Sequence, residues 1–176
     1  METGKIWQRE TQTGKKEVRA GREEECFLIT SGGRILDALL PGEERTLRIP
    51  EGSCLITVRR DAVLSGVLGC GGLHFPDGSR FGAWFRFTCR LLSPRRFARA
   101  CSGEAGGDGL PEEMRRRMQK EMQRIPAETA ETSFPERFFA QYMENVRAHF
   151  EKEAERAGLE VLSFVPGRMT GGEAEI

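Results

Sequence analysis

Apolar and polar residues alternate along most of the first half of the chain. The longest case is residues 80–91, where the apolar side of the pattern is Phe81, Ala83, Phe85, Phe87, Cys89 and Leu91. A period of two predicts a strand with one buried face. Shorter apolar runs of the same kind cover 26–30, 34–40, 44–49, 53–60 and 62–68. Glycine and proline turns such as Pro41-Gly42 separate these runs, which is typical of an antiparallel β-meander.

The second half of the chain changes to a helical pattern. Ser93-Pro94 combines an N-cap residue with proline at the first helical position, so a short helix is predicted to about Ala100. Pro111 opens a second helix that Pro126 is expected to end. One side of this second helix is apolar, with Leu110, Met114, Met118, Met122 and Ile125.

A third, longer helix is predicted after the capping box formed by Ser133 and Glu136. Its apolar side contains Phe134, Phe138, Tyr142, Val146 and Phe150. Gly158 has the position of a helix-ending glycine, and residues 159–165 read as a last strand that returns to the sheet. The sequence therefore predicts an α+β fold: an antiparallel β-meander, two or three helices and a final strand.

The expected organisation is one domain with a polar segment at each end. Residues 22–166 form the predicted domain, and a length of 176 residues is ordinary for one domain. Residues 1–21 contain few apolar side chains and are expected to be disordered, while residues 167–176 are expected to fray. The glycine-rich stretches 69–72 and 103–109 are interpreted as flexible connectors.

Charge and cysteine content narrow the functional classes. The chain has 27 basic and 27 acidic side chains, whereas nucleic-acid binders usually have a basic excess, so no nucleic-acid partner is expected. Five widely spaced cysteines without a Cys-x-x-Cys pair are typical of buried thiols in a reducing compartment. No run approaches the roughly 20 apolar residues of a spanning helix. A cytoplasmic location is expected, possibly at the inner face of the membrane.

A search for catalytic chemistry finds one weak candidate. His74 lies near Asp77, a combination that can act as a general base, but no motif marks a nucleophile. His149 stands 75 positions further along without a neighbouring set of metal ligands. Neither glycine-rich stretch has the ending of a phosphate-binding loop. We therefore expect no metal, no cofactor and no enzymatic activity.

Two surface features are candidate binding sites. Basic side chains cluster on the first two helices, at Arg95, Arg96, Arg99, Arg115, Arg116 and Lys120. They form either solvated helix faces or, if the two helices pack side by side, a patch for an anionic surface. The stripe Met114, Met118 and Met122 is either core or an adaptable groove for a protein partner.

The order of elements resembles the SPFH or band-7 domain of stomatin, prohibitin and flotillin, and is closest to its soluble bacterial, virion-core-like branch. The motifs that carry the resemblance are Phe27-Leu28-Ile29 with Gly33-Arg34-Ile35, Leu40-Pro41-Gly42-Glu43 with Leu47 and Pro50, Asp77-Gly78-Ser79-Arg80, Phe85-Arg86-Phe87, Leu92-Ser93-Pro94-Arg95-Arg96-Phe97, and Glu153 to Gly158-Leu159-Glu160-Val161. The resemblance covers about residues 22–166, and none of these motifs is catalytic. The membrane anchor and long coiled coil of many family members have no counterpart in this sequence. If the chain is a whole protein, membrane contact is expected to be peripheral or absent; if it is an excised domain, the missing segments are expected to supply anchoring and much of the assembly.

The resemblance implies a scaffold that self-associates as a homo-oligomer and presents a platform to protein partners. The alternative is a cytosolic adaptor that binds a single protein or peptide through the methionine stripe or an exposed sheet edge.

Overall fold

The computed structural model describes residues 5–75, 78–103, 106–107, 109–128 and 135–171. Over these residues the chain forms ten strands, all paired antiparallel, and three helices. The strands are β1 (Trp7–Glu10), β2 (Gly14–Arg19), β3 (Glu24–Thr30), β4 (Ile35–Leu39), β5 (Glu44–Ile49), β6 (Ser53–Arg59), β7 (Val63–His74), β8 (Arg80–Leu91), β9 (Gly106–Gly107) and β10 (Leu159–Gly171). The helices are α1 (Pro94–Ala100), α2 (Glu112–Glu128) and α3 (Pro135–Arg156). The predicted α+β fold with a returning final strand is confirmed.

The first region of the molecule is built around a five-stranded sheet in the order β4-β3-β6-β1-β9. Strand β5 does not join this sheet but pairs with β2, so successive strands are not always neighbours. Side chains of β3 alternate between the two faces: Phe27 and Ile29 belong to the main core, and Cys26 and Leu28 to a second core. The β2–β5 pair covers that second face with Val18, Leu47 and Ile49.

The second region is a three-stranded sheet, β10-β8-β7, with α2 and α3 on one face. The predicted Phe face of β8 is buried as expected, with Phe81, Phe85 and Phe87 each at most 3% exposed. Phe87 and Phe164 pack against Phe150 of α3 at ring-centroid distances of 5.4 Å and 4.6 Å. Because large rings bury much apolar area, these ring contacts contribute strongly to holding α3 on the sheet.

Helix α1 connects the two regions. Its boundaries follow the prediction: the Ser93 side chain accepts a hydrogen bond from the Arg96 amide, and Pro94 is the first helical residue. Gly158 ends α3 at φ +77°, and the amides of Leu92 and Ser93 both donate to its carbonyl at 2.9 Å. A Cβ atom at Gly158 would lie 2.5 Å from the Ser93 carbonyl oxygen, so only glycine fits this junction.

Four expectations about the connecting and terminal segments were wrong. Residues 7–19 are not disordered, because β1 pairs with β6, β2 pairs with β5, and Trp7 is 2% exposed. The segment 69–72 belongs to β7, where a bulge between Cys70 and Leu73 places Gly72 at φ +68°. Part of 103–109 forms β9, and β10 extends through residue 171, because each finds a partner strand.

The predicted end of α2 and the predicted start of α3 can be compared with the structure. Helix α2 continues two residues past Pro126 instead of ending there. The capping serine proposed for α3, Ser133, and its apolar neighbour Phe134 lie outside the described residues. The remaining stripe of α3 is buried, with Phe138 2% exposed and Tyr142, Val146 and Phe150 fully inaccessible.

Candidate functional site

A cleft of about 600 Å³ opens where the two regions meet. The β3–β4 turn forms one wall, α1 forms the floor, and the facing ends of α2 and α3 complete it. The charged lining residues are Arg96, Arg99, Glu113, Arg117, Glu153 and Arg156. Among the described lining residues, four arginines and two glutamates sum to a formal charge of +2, in a chain whose net charge is zero.

Helix α1 supplies two of the arginines because of its orientation. Phe97 and Ala98 point into the core, and Arg96 and Arg99, three positions apart, share the opposite side. The Nε atom of Arg99 donates to the Gly33 carbonyl oxygen at 3.2 Å, which ties the side chain to the β3–β4 turn. The terminal nitrogens of this guanidinium remain available at the cleft.

A largely buried carboxylate, that of Glu153, forms ion pairs with the other two arginines. Glu153 is 11% exposed at its side chain, and it pairs with Arg156 one turn later on α3. Across the helix interface, Nη1 of Arg117 lies 3.5 Å from Oε2 of the same glutamate. Arg117 is also held by Glu113 at 3.1 Å on its own helix. Two guanidinium groups are thus fixed by ion pairs before any ligand arrives.

A second cavity of about 300 Å³ continues the cleft on the other side of the β3–β4 turn. Arg34 and Arg95 line it, and Arg99 lines both cavities. Within the described part of the chain, Arg34, Arg95 and Arg96 have no carboxylate partner. The arginines of the two cavities therefore form one basic surface along the turn.

The predicted basic patch is only partly assembled. Arg95, Arg96 and Arg99 lie at the cleft, but Arg115 reaches the opposite way and donates to the Val67 carbonyl of β7 at 3.4 Å. Arg116 pairs with Glu113 at 3.3 Å, and Lys120 is exposed outside the cleft. The two clusters do not merge, because Arg115 is directed to β7 and neither Arg116 nor Lys120 lines the cleft.

Three contributors were missed at the sequence level. Arg34, Arg117 and Arg156 are not among the basic residues selected from the sequence. A signal for two of them was present, since Arg117 follows Glu113 by four residues and Arg156 follows Glu153 by three. These residues meet only because of how α1, α2 and α3 pack against one another. Residue spacing within each helix does not predict that packing.

The methionine stripe is core and not a partner groove. Met114 is 4% exposed, and Met118 and Met122 are inaccessible under α3 and the sheet. The Tyr142 hydroxyl donates to the Met122 carbonyl at 3.2 Å. Burial of the Tyr142 side chain raises its pKa. The predicted use of these methionines as a partner stripe is therefore wrong.

The structure describes only one of the two candidate catalytic residues. His74 is exposed, and Asp77 lies outside the described residues. Nδ1 of His149 is 3.8 Å from Oε2 of Glu121, a carboxylate whose pKa is lowered by its hydrogen bond from Arg124. Over the residues that the structure describes, no three His, Cys, Asp or Glu side chains come close enough to hold a metal ion.

The outer face of the three-stranded sheet is a second surface of interest. Val63, Val67, Leu162 and Val165 are each about half exposed there. In the strand register, Arg86 lies between Val67 and Val165 and has no carboxylate partner in the described part of the chain. Next to this row, the Trp84 indole covers Gly69, where a Cβ atom would lie 2.0 Å from the ring.

Comparison of the chain with protein families and curated proteins identifies no function for either surface. No family model matches the chain, and no curated protein matches it. None of the helices in the described ranges is both long enough and apolar enough to cross a membrane.

Proposed function

We propose that this chain is a non-catalytic assembly domain of the SPFH type, which self-associates through the outer face of the β10-β8-β7 sheet. The observation that carries the proposal is the exposed row Val67, Arg86 and Val165, flanked by Val63 and Leu162. A sheet face that exposes several large apolar side chains, here on both sides of Arg86, is typical of interaction surfaces. The arrangement of elements and the motifs of the SPFH resemblance support the same function.

The face is a better contact surface than the edges of this sheet. The outer edge of β7 is partly covered by α2, from which Arg115 donates to the Val67 carbonyl. The outer edge of β10 is interrupted by register shifts after Val161 and Pro166. Bulges and proline on an edge strand oppose further strand pairing, so a partner would pack on the face.

A second copy of the chain fits this face by charge. Glu160 pairs with Arg90 on the face, with Nε to Oε2 at 2.9 Å, while Arg86 lacks a carboxylate partner in the described part of the chain. A two-fold arrangement would bring Arg86 of one copy to Glu160 of the other, which Arg86 would share with Arg90, and a two-fold interface must be self-complementary in this way. The zero net charge removes overall repulsion between copies.

The test is the solution mass by size-exclusion chromatography with light scattering over a concentration series. We expect a defined oligomer for the wild type and a shift towards monomer for Val67→Glu, because the change removes the apolar contact and an ion pair with the neighbouring Arg86 would be costly to desolvate at the interface. Leu40→Glu is the matched control: Leu40 is 59% exposed but lies in the other region, so its oligomer should persist. A monomer at every concentration would contradict the proposal and favour the adaptor alternative.

Membrane contact is tested in parallel, because exposed valines with Arg86 could also meet a lipid surface. Co-sedimentation with vesicles of phosphatidylcholine and phosphatidylserine should leave the wild type in the supernatant if the face serves a second copy. A wild-type protein that is monomeric in solution and pellets with the vesicles, while Val67→Glu does not pellet, would show that the face binds lipid. That result would overturn self-association.

A further inference from the structure

We propose that the arginine cleft binds a compact, multiply phosphorylated ligand. The site consists of Arg96 and Arg99 on α1, Arg117 on α2, Arg156 on α3 and the backbone of Gly32 and Gly33. Binding here does not depend on self-association, because the cleft lies at the junction of the two regions and the proposed contact face lies on the outer side of the three-stranded sheet.

The chemistry of the lining favours phosphate oxygens. A guanidinium offers donors in a fixed planar fork that matches phosphate in a bidentate way. Arg117 and Arg156 are fixed by Glu153, and Arg99 is fixed by the Gly33 carbonyl. Side chains that are already ordered lose less conformational entropy on binding, so this arrangement increases affinity.

The two glutamates do not cancel the basic character of the cleft. Glu153 is shared between Arg117 and Arg156, and Glu113 between Arg116 and Arg117, so each carboxylate is already paired with guanidinium groups. Arg96 has no carboxylate partner in the described ranges and is the cation most available to a ligand. Arg34 and Arg95 add charge from the adjoining cavity.

The rest of the lining limits what kind of phosphorylated molecule fits. Its apolar members are Ala100, Met114 and Ala157, and no aromatic residue is among the described residues that line it. Met114 is 4% exposed and offers little surface. A nucleobase would find no stacking partner, so the ligand must present charge over most of its surface. A volume of about 600 Å³ accommodates a small ring or short chain with several phosphates.

Isothermal titration with inositol hexakisphosphate and with tripolyphosphate, at low salt, tests the proposal on the full chain. We expect saturable binding that weakens as salt is added. Arg96→Gln should weaken it ~10-fold or more, the value of one charge-assisted contact. Arg48→Gln is the matched control, since Arg48 is exposed on β5 and has no carboxylate partner in the described part of the chain.

The urea midpoint of each variant shows whether the fold is intact, and Arg96 is suitable because its guanidinium forms no ion pair within the described part of the chain. Equal affinities for Arg96→Gln and Arg48→Gln, or no binding of either probe, would overturn the proposal. The source of the phosphates is resolved with phosphatidylcholine vesicles containing a phosphoinositide. If the vesicles bind the protein, and this binding is displaced by inositol hexakisphosphate and lost in Arg96→Gln, the ligand is a lipid headgroup. If the soluble probes bind but the vesicles do not, the ligand is a free phosphorylated molecule.

Discussion

The five-stranded sheet has buried side chains on both faces, whereas the three-stranded sheet is covered on one face only. On the first sheet, α1 and the main core cover one side and the β2–β5 pair covers the other. On the second, α2 and α3 cover one side, and the other side shows Val63, Val67, Leu162 and Val165 to solvent. Sheets in α+β proteins are stable with one solvated face, so an apolar open face points to an interaction and not to a requirement of folding.

The two cores also differ in the side chains that fill them. The second core has eight buried residues and no aromatic ring: Val18, Ala20, Cys26, Leu28, Leu39, Leu47, Ile49 and Leu55. The main core between sheet and helices stacks rings, as in the pair Phe85 and Phe164 at 4.8 Å. A ring contributes more buried area than an aliphatic side chain, so truncating a ring of the main core should cost more than truncating an aliphatic side chain of the second core.

The largest effect is expected for Phe85→Ala. Phe85 is 1% exposed in the centre of β8, and its removal leaves a cavity against Phe164 that rigid neighbours cannot fill. The free energy of unfolding should fall by about 3–5 kcal/mol, measured by urea denaturation. Leu92→Ala is the control, because Leu92 is 61% exposed and should change stability by less than about 0.5 kcal/mol. Equal losses for the two variants would contradict the described core.

A smaller loss is expected for Leu39→Ala in the second core. Leu39 is inaccessible, but it lies on β4, an edge strand that can move inwards to fill part of the cavity. The free energy of unfolding should fall by about 2–3 kcal/mol, again from urea denaturation. A loss as large as that of Phe85→Ala would remove the distinction between the two cores.

The smallest effect is expected from chemical labelling of the cysteines, and the first measurement uses the unmodified protein. Among the five, Cys70 in the β7 bulge is half-buried, and the other four are buried. Burial raises the pKa of Cys89 to about 12, so almost no thiolate forms there in the native state at about pH 8. Burial also raises the pKa of Cys26.

With a chromogenic disulfide reagent, we therefore expect one thiol to react quickly in the native protein and all five after unfolding. Cys70→Ser should abolish the fast phase. Fast reaction of more than one native thiol would mean that one of the two regions opens far more readily than its packing indicates.

Much of the fold could be predicted from the sequence because its signals are local. The period-two pattern of β8, the Ser93 cap of α1 and the glycine that ends α3 each depend on a few neighbouring residues. Strands β1, β2 and β9 could not be predicted this way. Their segments have few apolar residues, and their order comes from backbone pairing with strand residues 25 or more positions away.

The candidate site shows the same limit. The arginines of α1 were recognised as a cluster, since they are adjacent in the chain. The contribution of Arg117 and Arg156 depends on Glu153, a residue that links two helices and has no marked sequence signal. The methionine stripe had two readings with the same spacing, and only the position of α3 decides between core and groove.

The chain has two tryptophans, and each reports optically on one region. Trp7 is 2% exposed against Phe97, and its indole nitrogen has no hydrogen-bond partner, so its emission should be blue-shifted until the first region unfolds. Trp84 is partly open to water over Gly69, beside the proposed contact face. Intrinsic fluorescence of Trp7→Phe and Trp84→Phe variants therefore gives separate spectral signatures for loss of the first region and for burial of the open face.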